Sequence, residues 1–233
     1  MYRLAPLLLL GLTASAAPVA QDRTFLVSGF DRLRVDGPFQ VELVVGPTRA
    51  TATGDPQALQ RLQVRVDGGT LVVGAGTDGW GRATGATVAP PRITLSTPAL
   101  RTVLVNGGGQ VRVAAMKGAR IDLGLNGGGS LAVAGIDAAD LGITLTGTGT
   151  MTLAGSTRQV RVRSNGAGSI DAAGLTAGDA VLVSESSGRL RIGVRYSAQV
   201  FAMGLGPVEI DGKPECRISG SGPVRCDGRV TRH

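Results

Sequence analysis

From Thr102 to the end of the chain, apolar and polar residues alternate in short runs. A glycine-rich turn interrupts each run, and alternation then resumes. The turns are Gly107-Gly108-Gly109, Gly127-Gly128-Gly129, Gly147-Thr148-Gly149, Gly166-Ala167-Gly168, Ser186-Ser187-Gly188, Gly204-Leu205-Gly206 and Gly220-Ser221-Gly222. The first apolar residue after each is Val111, Leu131, Met151, Ile170, Leu190, Val208 and Val224, in steps of 20, 20, 19, 20, 18 and 16 residues. A constant period of this kind is the signature of a repeat architecture.

Aligned on the first turn position, the repeats form columns. Four residues before it stand Val103, Leu123, Ile143, Val162, Leu182, Val200 and Cys216. Two before it stand Val105, Leu125, Leu145, Ser164, Ser184, Ala202 and Ile218. Six after it stand Val113, Val133, Leu153, Ala172, Ile192, Ile210 and Cys226. Spacing of two within each arm predicts strands with one buried face. The glycines and β-branched residues argue against helix. One such unit cannot bury its apolar face alone, whereas stacked units bury all columns in one interior. The pattern predicts an all-β parallel β-helix, a solenoid of roughly 20-residue coils. A sandwich of hairpins is the rival, and it has no reason to keep a constant period.

Asn106, Asn126 and Asn165 precede three of the turns. Asn and Gly tolerate positive φ, and stacked Asn side chains can form an amide ladder. A phosphate-cradling role for the glycines has no support, because no helix follows them and no GK[ST] occurs.

The first half is less regular. Phe25, Val27 and Phe30 lead into alternating Leu33, Val35, Phe39, Val41 and Leu43. Asp55 to Leu62 reads as a turn plus a short helix with Pro near its start. Val64 and Val66, then Gly68-Gly69, then Leu71 and Val73 predict a strand, a turn and a strand. Residues 77–91 are polar and non-periodic, which predicts an exposed loop carrying Trp80. The expected organisation is a signal peptide over 1–20 and one solenoid domain over 21–233. Within that domain, 24–76 are irregular coils, 77–91 a loop and 92–228 regular repeats.

Composition narrows the chemistry. The only histidine among 233 residues is the last one, so no His-based triad, Cys–His dyad or ordinary zinc site is available. Aromatic residues make up 3%, too few for stacking on nucleic acid. Arg3, the run Leu7 to Leu12 and the small residues up to Ala20 form a secretory signal pattern, too short to span a bilayer. The expected location is therefore periplasm, cell surface or medium. Export favours a structural disulfide between Cys216 and Cys226, which flank Ser221 symmetrically and would close the last coil. Their spacing is not that of a CxxC redox pair. Net charge is +7 over the whole chain. A solvated basic surface explains that charge without nucleic acid, and acidic glycans or anionic lipid surfaces suit it.

The segments FDRLRVDGPFQVELVVG and ATGDPQALQRLQVRVDGGTLVV, followed by the NGGG-type repeats, resemble the family called putative auto-transporter adhesin, head GIN domain. The resemblance runs from about Phe25 to Gly228. It implies an exported bacterial β-helical domain, right-handed, with adhesion suggested by name only, and it supplies no catalytic residues. The C-terminal residues show no membrane-barrel pattern, so the auto-transporter part of that name is not expected to apply.

Two outward columns are candidates for chemistry. Arg112, Ala132, Thr152, Asp171, Arg191, Glu209 and Arg225 form one, and its last four members alternate in sign. They predict a salt-bridge ladder. Asp171 and Glu209 as acid and base, or as calcium ligands, are the sharper alternative. Arg191 between them opposes it, since a guanidinium keeps both carboxylates ionised. The other column holds Leu104, Gly124, Thr144, Arg163, Val183, Phe201 and Arg217. Outward Leu104, Val183 and Phe201 call either for a cover, expected from the N-terminal segment, or for a binding or dimer surface. With Trp80 they are the candidate binding residues. No catalytic residue, metal or cofactor is assigned. The expected function is a non-enzymatic binding, adhesin-like or envelope structural module whose candidate partners are a cell-surface glycan or an envelope protein. Its alternatives are a polysaccharide-active enzyme, or an envelope regulator that binds a protein partner.

Overall fold

The computed structural model describes residues 20–76 and 89–232. Trp80 and all of the predicted signal peptide but Ala20 lie outside them. The described residues form eighteen strands and one helix: β1 Gln21–Phe25, β2 Arg32–Asp36, β3 Gln40–Val45, β4 Arg49–Gly54, α1 Pro56–Arg61, β5 Leu62–Asp67, β6 Thr70–Ala75, β7 Arg92–Thr97, β8 Thr102–Asn106, β9 Gln110–Val113, β10 Met116–Gly127, β11 Ser130–Gly147, β12 Thr150–Gly166, β13 Ser169–Ser186, β14 Leu190–Ala202, β15 Val208–Gly212, β16 Glu215–Ser219, β17 Val224–Cys226 and β18 Arg229–Arg232. From β8 onward each coil pairs in parallel with the next, as the period predicts, so the fold is a β-solenoid.

Each coil has three faces. The first face comprises β8 and the segments stacked on it, such as Asp122–Asn126 and Gly142–Thr146. A glycine corner turns the chain into the second face, comprising β9 and its equivalents. A further bend leads to the third, whose strands run on into the next first face, with the ladder skipping a residue such as Ala119 or Ala139 at the junction. That continuity makes β10 to β14 long. The inward columns are buried up to the last coil, where Val224 and Cys226 are half-buried; Val105, Leu125, Leu145, Leu182 and Ile192 are all at 0% exposure.

At the corners Gly107, Gly127, Gly147 and Gly166 have positive φ, and among the described residues no non-glycine residue does. The asparagines are therefore not the left-handed residues. They end the first-face strands just before the turn. Their side chains do form a ladder. Asn126 donates to the Asn106 amide oxygen at 3.1 Å, and Asn106 donates to Asp36 at 2.6 Å. Thr146 interrupts it, and Asn165 donates instead to Glu185 at 3.0 Å.

The irregular first half adds to one end of the stack. β2 lies beside β8 and β3 beside β9 in the register of a further coil. β4 then runs antiparallel to β7, β1 antiparallel to β4, and β5 antiparallel to β6 through the Gly68-Gly69 turn. Asp55 caps α1 by accepting from the Gln57 and Ala58 amides, and Pro56 opens the helix, where a missing N–H costs nothing.

The last coil departs from the expected columns. Ile218, not Cys216, stacks on Val200, and Cys216 lies over Ala198. The reason is a shortened corner. Phe201 pairs with Ser219 and Val208 with Val224, so seven residue steps in one coil face five in the next. Alignment on the Gly-x-Gly turn shifts the preceding strand by two. The disulfide nevertheless forms between Cys216 and Cys226 and ties the first and second faces of that coil.

Candidate functional site

On the second face Asp171, Arg191, Glu209 and Arg225 stack in register, as expected. The ion pairs are routed differently. Arg191 makes its short contact with Asp211 at 2.8 Å and lies 4.0 Å from Glu209. Arg189 reaches Glu209 at 3.6 Å, and Arg225 reaches Asp227 at 3.3 Å. Asp171 accepts the backbone N–H of Ala173 at 3.1 Å. A residue on one strand can reach two positions along its neighbour, and Asp211 gives Arg191 a better-aligned partner there. Hydrogen bonding to Asp211, then the charge of Asp211, and beyond it those of Glu209 and Asp171, hold the Arg191 guanidinium above its ordinary pKa.

Asp171 and Glu209 sit two strands apart, roughly 10 Å at ordinary spacing, with Arg191 between them. Their carboxylates are engaged with a backbone amide and guanidinium groups. Among the described residues no group of three or more His, Cys, Asp or Glu is placed to hold a metal ion.

The first face carries the other outward column: Arg34, Leu104, Gly124, Thr144, Arg163, Val183 and Phe201 follow in register. The next member is Ser219, not Arg217, which lies over Gln199. The N-terminal segment does not cover this column. It extends the stack beyond β8, far from Val183 and Phe201. Leu104 finds its own cover by folding over Gly124, with Cδ1 2.8 Å from where a Gly124 Cβ would stand. Val183 is half-buried, and Phe201 is 46% exposed.

Phe201 begins a longer feature that the columns did not reveal. The outward alternation continues through the corner as Phe201, Met203, Leu205 and Pro207, with Met203 69% and Leu205 88% exposed. The same positions two coils earlier read Arg163, Asn165, Ala167 and Ser169, and one coil earlier still Thr144, Thr146, Thr148 and Thr150. The signal was present in the alternation, but the turn residues had been read only as a corner. Beside this string lie Arg161, Arg163 and Arg217, which have no ion-pair or hydrogen-bond partner among the described residues. A shallow depression of about 350 Å³ runs alongside, lined by Thr144, Arg163, Asn165, Val183 and Glu185.

Comparison with known proteins bears on the fold. Residues 29–214 match the sequence profile of the family described as putative auto-transporter adhesin, head GIN domain. A putative adhesin from Bacteroides fragilis NCTC 9343 superposes with a TM-score of 0.79 at 19% identity, covering 93% of this chain and 98% of that one. A putative lipid binding protein from Parabacteroides distasonis ATCC 8503 gives 0.58 at 16% identity, covering 92% and 96%. A putative adhesin from Parabacteroides merdae ATCC 43184 gives 0.58 at 15%, covering 92% and 94%. At these identities the likeness shows the shared fold alone. No curated protein matches the sequence.

Proposed function

The chain belongs to the putative auto-transporter adhesin, head GIN domain family, and from that premise we propose that it is an exported, non-enzymatic binding module of the bacterial envelope. Its first face and glycine corner meet an anionic envelope component. One observation carries the reading: the second-face carboxylates are engaged by arginines and a backbone amide, whereas Arg161, Arg163 and Arg217 stand unpaired beside an exposed apolar corner. Unpaired surface cations with adjacent apolar area are what recognition of an anionic amphiphile or an acidic polymer needs. The disulfide fits an oxidising compartment. Among the described residues no helix is long and apolar enough to cross a membrane. Two structural neighbours are described as a putative adhesin and a putative lipid binding protein, both of them binding roles.

The test uses the chain from Gln21 onward with a panel of neutral and acidic polysaccharides and anionic lipid vesicles. Association and release of new chain ends are followed in the same samples. Saturable association with an anionic member and no new chain ends is expected. Turnover abolished by Asp171→Asn overturns the proposal in favour of an enzyme. No association with any anionic member removes the binding role.

A further inference from the structure

No preceding coil carries an apolar run through its corner like Phe201-Met203-Leu205-Pro207. The coil before it places Val183, Glu185, Ser187 and Arg189 at these positions, and the two before that Arg163, Asn165, Ala167 and Ser169, and Thr144, Thr146, Thr148 and Thr150, so only the column of Phe201 has other large apolar members. Two structural facts keep it open. The corner of the next coil is two residues shorter, so two residues between Phe201 and Val208 have no counterpart there, and Leu205 is 88% exposed. The string also lies on a convex edge, where the chain turns from the first face to the second. Its accessible area is on the order of 400 Å², the range in which an exposed apolar patch marks an interaction site. It is well below the about 800 Å² per partner of a stable protein interface.

Charge selects the partner. Arg163 lies two strands from Phe201 in the same column, with Val183 between them, and Arg217 flanks Phe201 from the next coil. Neither has a protein partner among the described residues. The nearby carboxylates are engaged elsewhere: Glu185 is held by the Asn165 amide, and Glu215, two residues before Arg217, pairs with Arg229 at 3.8 Å. Flexible methionine and leucine side chains on a convex tip, with arginines set back from it, suit a fluid interface: the tip enters the acyl boundary while guanidinium groups stay at the headgroups. A sugar would instead call for a flat aromatic platform and fixed polar donors.

The geometry points to a membrane-surface anchor. Resting on the function proposed above, we assign the anionic component as a lipid bilayer surface, entered shallowly by Met203 and Leu205 and held electrostatically by Arg163 and Arg217.

The experiment is co-sedimentation of the chain from Gln21 with phosphatidylglycerol-containing vesicles, with pure phosphatidylcholine vesicles as reference, at low and high salt. A soluble acidic polysaccharide, polygalacturonate, forms a parallel arm. The expected result is preferential binding to the anionic vesicles. Combined Met203→Ser and Leu205→Ser should weaken it roughly tenfold or more. Combined Arg163→Gln and Arg217→Gln should weaken it roughly fivefold per arginine at low salt, and less at high salt. All four side chains are exposed, so unchanged thermal melting of the variants confirms that folding is not the cause. Vesicle binding unaffected by the Met203/Leu205 pair overturns the assignment. Polygalacturonate binding without vesicle binding also overturns it, while leaving the proposed function standing. So does a dimer in solution that the same pair dissolves while vesicles are ignored, since the corner then serves a second copy. Loss of every anionic interaction removes both.

Discussion

Two coils of the same solenoid wear opposite surfaces. Around Gly147-Thr148-Gly149 the outward positions are Thr144, Thr146, Thr148 and Thr150. Around Gly204-Leu205-Gly206 they are Phe201, Met203, Leu205 and Pro207. Inside, the same two coils place Leu145 and Ala202 in one column, and both are buried. The backbone period depends on the inward residues and the corner glycines, so the outward ones are free to vary. Deviation from the polar outward pattern therefore points to function more directly than anything in the core.

Breaking the shared part of that comparison should have the largest effect. Gly147 has φ +112°, and an added Cβ would stand 2.7 Å from the Gly127 carbonyl oxygen of the coil beneath. Gly147→Ala combines a left-handed strain with a backbone collision that no rotamer relieves. A loss of about 3 kcal/mol in denaturant unfolding is expected. Thr148→Ala beside it is exposed and should stay within about 0.5 kcal/mol of the parent. Equal effects from both would mean that the corner glycines do not define the coil.

The sequence pattern reached the inward columns because stacking demands the same residue class at every coil. Val103 to Val200 and Val111 to Val224 all face inward on this account. It failed at Cys216 and Arg217, because the Gly-x-Gly turn is a landmark of sequence and not of length. Only strand pairing reveals that the last corner is two residues shorter. The first half was less legible for a different reason. β4 and β5 join the stack antiparallel, so they repeat no column of the parallel coils. The hairpin turn at Gly68-Gly69 and the Asp55-Pro56 helix start were readable because their signals are local. Alternation placed Leu104, Val183 and Phe201 outward but could not show what covers them: Leu104 is tucked over a glycine and Phe201 is left exposed without the expected N-terminal cover. Met203 and Leu205 were not legible because they sit in a turn.

Among the described residues β17 pairs with β15 alone, and the Cys216–Cys226 bond ties it to β16 across a sequence separation of 10. Chain-entropy arguments put a loop of that size at about 2–3 kcal/mol. Reduction, or Cys216→Ala with Cys226→Ser, should loosen β16 to β18 before the rest. Limited trypsin digestion should then cut at Arg217 and Arg225 first, with the coils before Gly188 still protected. Uniform digestion along the chain on reduction would show that the bond stabilises the solenoid as one unit instead of closing its end.

The smallest effect concerns the inside of the same comparison. The column just before each corner runs Val105, Leu125, Leu145, then Ser164, Ser184 and Ala202, so apolar bulk gives way to small residues toward the apolar corner. Ser184 is 1% exposed, and its hydroxyl has no hydrogen-bond partner among the described residues. Its neighbour in the corner is better placed: the Ser186 hydroxyl donates to the Gly168 carbonyl at 3.1 Å and accepts the Gly188 N–H at 3.0 Å. A buried hydroxyl without a partner keeps its desolvation penalty, so Ser184→Ala should raise unfolding stability by about 1 kcal/mol. Ser186→Ala should lower it by a similar amount, since it strands the Gly188 amide beside a lost acceptor. Opposite signs from two serines two residues apart, read in parallel urea titrations, are the expected outcome. A destabilising Ser184→Ala would mean that its hydroxyl is satisfied in solution, and that the column narrows toward the corner to admit that partner.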